Sequence, residues 1–215
     1  MGLLFRLAEF LIVIVPVAGM IFAAIRAFST NKRSAANLSG PDQGGIGGNH
    51  AAQQRSLTRV LREHDRTDTR WLEYELDYAR LLNFPQMTDM RDPLTISFHK
   101  AKLRADFLRP AKVEDLLDDG DAAARYLAAV EDYVTAFNIA EAEAKRRRRT
   151  DFTPEGQQRI ARAENLLRVA SDSAATPQER QNAYDRACKE LDGLVVLPAA
   201  TQASIERGIS GELGG

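Results

Sequence analysis

The chain of 215 residues contains a single cysteine, Cys188, so no internal disulfide can form and a disulfide-stapled fold is excluded. It also lacks net charge: 29 basic residues stand against 30 acidic ones. That balance argues against the basic body of a dedicated nucleic-acid protein. Histidine occurs three times, at His50, His64 and His99, too scattered for a metal cluster. The glycine pairs Gly44–Gly45 and Gly47–Gly48 are not followed by Gly-Lys-Ser/Thr and no strand precedes them, which rejects a phosphate loop. No nucleophile with a matched base stands out either. The chain is therefore expected to be no enzyme and to carry no cofactor or metal. An enzyme whose site follows no familiar pattern is the remotest alternative.

Lysine is scarce, six against 23 arginines, and with abundant alanine this is the composition of a high-GC bacterial genome. Hydrophobic residues at 44% and charged residues at 27% suffice for a packed core.

A long apolar run is present once. From Leu7 to Phe28, "LAEFLIVIVPVAGMIFAAIRAF", 22 positions carry only Glu9 and Arg26 as charges, near the two ends. At 1.5 Å per residue, about 20 residues cross a hydrocarbon core roughly 30 Å thick. A small-x-small cleavage site would need Ala27-Phe28-Ser29 directly after Arg26, so a retained transmembrane helix is favoured over a cleaved signal. Arg6 and the amino terminus flank it on one side, and Arg26, Lys32 and Arg33 on the other. Positive charge stays inside, which predicts a single-pass protein of the cell membrane with its body in the cytoplasm.

The expected organisation is a short tail at 1–6, the spanning helix at 7–28, a Gly-rich flexible tether at 29–53, a helical domain at 54–208 and a disordered tail at 209–215. The body reads as all-α, a bundle of about five to six helices. Between Leu57 and Leu82 an apolar stripe with helical spacing, interrupted by Asp68 and Glu75, predicts one long amphipathic helix. Asp92–Pro93 starts another, with a short strand through Leu94, Ile96 and Phe98 as its competitor. The strongest helix runs from about Ala122 to Arg149. Thr153–Pro154 and Thr176–Pro177 each cap a helix, and the short loop between them predicts an antiparallel C-terminal hairpin. A last helix covers about Ala199 to Arg207.

Two stretches are candidates for interaction. Lys145, Arg146, Arg147, Arg148 and Arg149 form an unbroken basic cluster, suited to anionic lipid or an acidic partner. Cations at a helix end also complement its dipole, and Glu141 and Glu143 lie one turn back to pair with them. Phe152 is the aromatic nearby, so nucleic acid ranks last among partners. Thr150, after four arginines, is a weak basic-directed kinase motif. The proline-containing loop with Phe84, Met87 and Met90 is the second candidate, either a recognition surface or a plug for the bundle end. His64 and Asp68 share a helix face at i,i+4 and are expected to make a surface hydrogen bond. Cys188, beside Leu191, is expected to be buried and inert. The function that fits best is a membrane-anchored adaptor, scaffold or accessory subunit acting through protein contacts. Peripheral binding of anionic lipid by residues 145–149 is the alternative.

Overall fold

The computed structural model describes residues 45–211, with side chains from His50 onward. The tail at 1–6, the apolar segment Leu7–Phe28, the tether up to residue 44 and the last four residues lie outside the described residues. Among the described residues, no helix is long and apolar enough to cross a membrane.

All of the regular structure described is helical. Seven α-helices are present: α1 Gly45–Leu76, α2 Tyr78–Asn83, α3 Pro93–Leu108, α4 Gly120–Arg147, α5 Pro154–Ala170, α6 Pro177–Leu191 and α7 Ala199–Ser210. Two single 3-10 turns, Pro85–Thr88 and Val113–Leu116, join them. The count exceeds the expected five to six because the long amphipathic helix is broken. Asp77, in extended backbone, accepts hydrogen bonds from the amides of Ala79 and Arg80 at 2.9 and 3.1 Å and starts α2 as a separate helix.

At its other end α1 begins at Gly45, inside the expected tether. Alanine and glutamine at 51–54 favour helix. Gln53 and Gln54 then tie the first turns to the Leu117 carbonyl (3.4 Å) and the Glu114 carboxylate (3.3 Å). The buried face of α1 is Leu57, His64, Thr67, Trp71 and Tyr74. Thr67 and Tyr74 take the places that Asp68 and Glu75 would have spoiled, so the drift of a 3.6-residue repeat resolves the interrupted stripe.

Among the described residues the helical body divides into two compact units, each discontinuous in sequence: residues 45–64 with 101–135, and residues 65–100 with 136–211. In the first, Leu57, Ala105, Leu116, Ala123, Tyr126, Leu127, Val130, Tyr133 and Val134 are buried. The start of α4 is capped by Asp119, whose carboxylate accepts from the amides of Asp121 and Ala122.

In the second unit α5 and α6 form the expected antiparallel hairpin. Thr153 accepts from the Gly156 amide at 3.1 Å, and Thr176 and Glu179 form a full capping box. Ile160, Ala163, Leu167 and Ala170 of α5 are buried with Ala183, Tyr184, Ala187 and Leu191 of α6 in one cluster. Leu81 and Leu82 of α2 join it, as do Val195, Leu197, Ile205 and Ile209 from the C-terminal segment. An aromatic group adjoins: Trp71 meets Phe98 at 4.9 Å and His99 at 5.0 Å between ring centres, and Phe98 meets Phe137 at 5.3 Å. Asp92 caps α3 through the amide of Leu94 at 2.8 Å, so the Leu94–Phe98 stretch is helix and not strand.

Candidate functional site

Three groups of polar side chains require an account, and each is built from residues within one unit. In the first unit His64 is fully buried, contrary to the surface position expected for it. One ring nitrogen, Nδ1, lies 3.0 Å from the Tyr126 hydroxyl and the other, Nε2, 3.0 Å from Asp106 Oδ1. Tyr133 sits edge-on to the imidazole with ring centres 5.6 Å apart. Lys102 holds the second oxygen of Asp106 at 2.8 Å. Burial works to raise the Asp106 carboxyl, but the hydrogen bond and charge of Lys102, with His64, hold it below its ordinary range.

This Tyr126–His64–Asp106–Lys102 chain has the connectivity of a proton relay. It lacks access: Tyr126 and His64 are sealed from solvent, so no substrate atom can reach either ring nitrogen. A cation held by Nε2 of His64 and Oδ1 of Asp106 would have to take the place of the hydrogen bond that joins them. The arrangement suits specification of the core more than chemistry.

In the second unit the focus is Glu141, nearly buried on α4. It accepts from Arg70 at 2.5 Å, from the Tyr74 hydroxyl at 3.0 Å and from Lys145 at 3.0 Å, and Arg80 lies 3.5 Å away. Burial alone would raise this carboxyl; Lys145 and Arg70 more than offset it and leave the pKa lowered. Tyr74 responds in the opposite sense. Burial, then the Glu141 charge, pushes its phenol up to about 12. Arg70 lies over the Phe137 ring and Arg80 over the Tyr74 ring, each at 4.6 Å.

The basic cluster at the end of α4 is largely neutralised by the protein itself. Lys145 pairs with Glu141, while Arg146 grips Glu143 through two bonds of 2.7 and 2.5 Å. Arg147 reaches Glu143, Asp92 and Asp151, and Arg149 binds Glu164 at 2.6 Å and the Leu82 carbonyl at 2.8 Å. The Arg146 fork, opposed by burial and joined by Arg147, holds Glu143 down at about 2. Arg148 is the exception. It is exposed, its backbone stands at a φ of 49°, and no partner is recorded for its guanidinium. It occupies the left-handed position that ends the helix, where glycine is the usual residue.

The loop candidate splits. Met87 is fully buried and acts as the plug, Phe84 is half-buried against Tyr74 with ring centres 6.3 Å apart, and Met90 is 57% exposed. Cys188 is exposed, not buried, because the inward face of α6 is Ala183, Tyr184, Ala187 and Leu191 and Cys188 falls one step past it. Local burial around its thiol still pushes the pKa up, so it is a poor nucleophile.

Sequence reasoning passed over Leu103 and Phe107. These lie one turn apart on α3 and are 71% and 87% exposed, the latter being the highest exposure of any large hydrophobic residue described. An apolar pair at i,i+4 opposite the buried Ala105 was the available signal. Comparison of the chain with protein families, curated proteins and solved structures finds no match.

Proposed function

We propose that this chain is a single-pass membrane protein whose helical body works in the cytoplasm through protein contacts, as an adaptor, scaffold or accessory subunit. The observation that carries the reading is how its reactive side chains are disposed. Both ring nitrogens of His64 and the carboxylate of Glu141 are committed to internal partners. The histidine and carboxylate best placed for catalysis are thus spent on holding the body together, while apolar groups such as Leu103, Phe107 and Met90 face outward. The apolar segment Leu7–Phe28 supports the anchor by its length and flanking charges.

The lipid-binding alternative through Lys145–Arg149 is weakened by arithmetic. Four of the five cations, Lys145, Arg146, Arg147 and Arg149, are engaged by Glu141, Glu143, Asp92, Asp151 or Glu164, which leaves Arg148 to face a lipid surface without first giving up an ion pair. The test pairs two measurements. Membranes from cells expressing the full chain are washed at alkaline pH, and a reporter active only in the cytoplasm is fused after Gly215. Retention in the washed membrane with an active reporter is the expected result. Release by the wash, or a silent reporter beside an active external one, overturns the reading.

A further inference from the structure

Aspartate precedes glycine twice in the chain, at Asp119–Gly120 and Asp192–Gly193. Such a pair is chemically fragile. The glycine nitrogen can attack the side-chain carboxyl carbon of the aspartate, because no β-carbon crowds it and the glycine backbone turns freely. Both pairs are exposed, so exposure does not separate them. Their hydrogen bonds do. Asp119 is tied into the start of α4: its carboxylate accepts from the amides of Asp121 at 3.1 Å and Ala122 at 2.9 Å, and its carbonyl from Ala123 at 3.0 Å. Attack by Gly120 would undo that first turn.

Asp192 sits instead in a turn just past the end of α6. Its backbone stands at φ −56° and ψ 128° and that of Gly193 at φ 71°. The Leu194 amide bonds to the Leu191 carbonyl at 2.9 Å, which completes a type II turn. The amide between the two central residues of such a turn faces away from it. No bond is recorded for the Gly193 amide, and no partner for the Asp192 carboxylate. A β-carbon placed on Gly193 would meet nothing within 4 Å, so the peptide has room to rotate. We infer that Asp192–Gly193 is a site of spontaneous isoaspartate formation and that Arg159 sets its rate. The Gly193 nitrogen gives its proton to water and bonds to Cγ of Asp192, while a carboxyl oxygen leaves as water and a five-membered imide closes. Water then adds at the backbone carbonyl carbon of Asp192 and breaks that carbon's bond to the Gly193 nitrogen. The main chain now runs through Cβ, with its elemental composition unchanged.

Ring closure requires the Gly193 nitrogen to swing towards Cβ of Asp192, and a ψ of 128° holds it away. Arg159 of α5 opposes the swing. Its guanidinium donates to the carbonyls of Lys189 and Asp192, both at 3.1 Å. Rotating the Asp192–Gly193 peptide takes the second carbonyl out of reach, and losing one hydrogen bond to a charged group slows the step about tenfold. The product strikes the packing of the second unit, because the turn leads straight into Val195 and Leu197, which are buried in one cluster with Leu191. An added backbone atom shifts both against that cluster.

The experiment ages the full chain, purified in detergent, for several weeks at neutral pH. Tryptic peptides 113–125 and 190–207 are then scored for isoaspartate by electron-transfer fragmentation and by methyl acceptance from an isoaspartyl methyltransferase. Conversion at 192 on the order of tenfold ahead of 119 is the expected result, with none at that position in Asp192→Glu. In chain aged in urea the two positions should convert alike, since both have lost their bonds. Arg159→Gln should speed 192 about tenfold while 119 keeps its parent rate. Equal conversion of the two positions in the folded chain, or a preference for 192 that survives in urea, overturns the assignment of the site to this turn. A rate at 192 that Arg159→Gln leaves unchanged or lowers, or a rise at both positions alike, overturns the role of Arg159.

Discussion

Replacing Glu141 by glutamine keeps the volume of the side chain and its hydrogen bond from Tyr74 but removes the charge on which Arg70, Arg80 and Lys145 converge. Breaking a buried ion pair from one side costs about 3–5 kcal/mol, because the other charge is left uncompensated. Here the stranded cations are not sealed: the Arg70 and Arg80 side chains are 32% and 30% exposed and Lys145 49%, so each recovers part of its hydration. That lowers the expected loss to about 2–3 kcal/mol, or a urea midpoint lower by ~1 M. Trp71, the only tryptophan in the chain, stacks near Tyr74 at 6.3 Å between ring centres and reports directly on this region. Urea titration followed by its fluorescence is the assay. The same titration with Arg70→Gln, alone and combined, should give a coupling of at least ~1 kcal/mol. The sign of the pH dependence is fixed by the lowered pKa of Glu141. A depressed carboxylate contributes its stability above the unfolded value and loses it as pH falls through the folded value. The gap between Glu141→Gln and the parent should thus stay constant above pH 5 and close below the ordinary value of 4.5. A loss under ~0.5 kcal/mol at neutral pH, with no coupling to Arg70, would refute the view that this cluster stabilises the second unit.

Other consequences are as open to measurement. Arg148→Gly should raise stability by about 0.5–1 kcal/mol, since it relieves the left-handed backbone and forfeits no recorded side-chain partner; a lower melting temperature would contradict this. His64→Ala empties a fully buried site and strands the Tyr126 hydroxyl, with an expected loss of about 3 kcal/mol by thermal or chemical unfolding. Acid titration of the parent should show stability falling between pH 4.5 and about 2 as Glu143 gains its proton, with the steepness reduced in Glu143→Gln. Exposure of the arginines to solvent discounts the size of that effect but not its direction.

Much of the helical architecture was legible because its signals are local. Thr153–Pro154, Thr176–Pro177 and Asp92–Pro93 each put an acceptor at the cap and a fixed φ at the first position, and each opens a helix. The pairing of Lys145 with Glu141 and of Arg146 and Arg147 with Glu143 was readable for the same reason, being three or four residues apart. What escaped was non-local. His64 meets Asp106 and Tyr126 across 42 and 62 positions, and no periodicity reveals that a histidine on an apolar stripe has two polar groups waiting. Arg149 finds Glu164 and the Leu82 carbonyl in the same way. Asp77 was hidden for a different reason: helical spacing resumes beyond it at Tyr78, Leu81 and Leu82, and only its backbone departure from helix turns it into a cap.

The Thr201 hydroxyl of α7 donates to the Glu75 carbonyl at the end of α1, a bond across 126 positions. Arg180 of α6 likewise holds the final carbonyls of α7, those of Gly208 and Ile209. These two contacts set an order of events during biosynthesis. The first unit has all its residues once position 135 has been made, whereas the second waits for α7, at the far end of the message. Residues 65–100 therefore spend most of translation without the segments they pack on, with Trp71, Leu81 and Leu82 unshielded. A ribosome stalled before codon 199 would display that half-finished unit, and chaperone demand should peak there and fall once the last helix emerges.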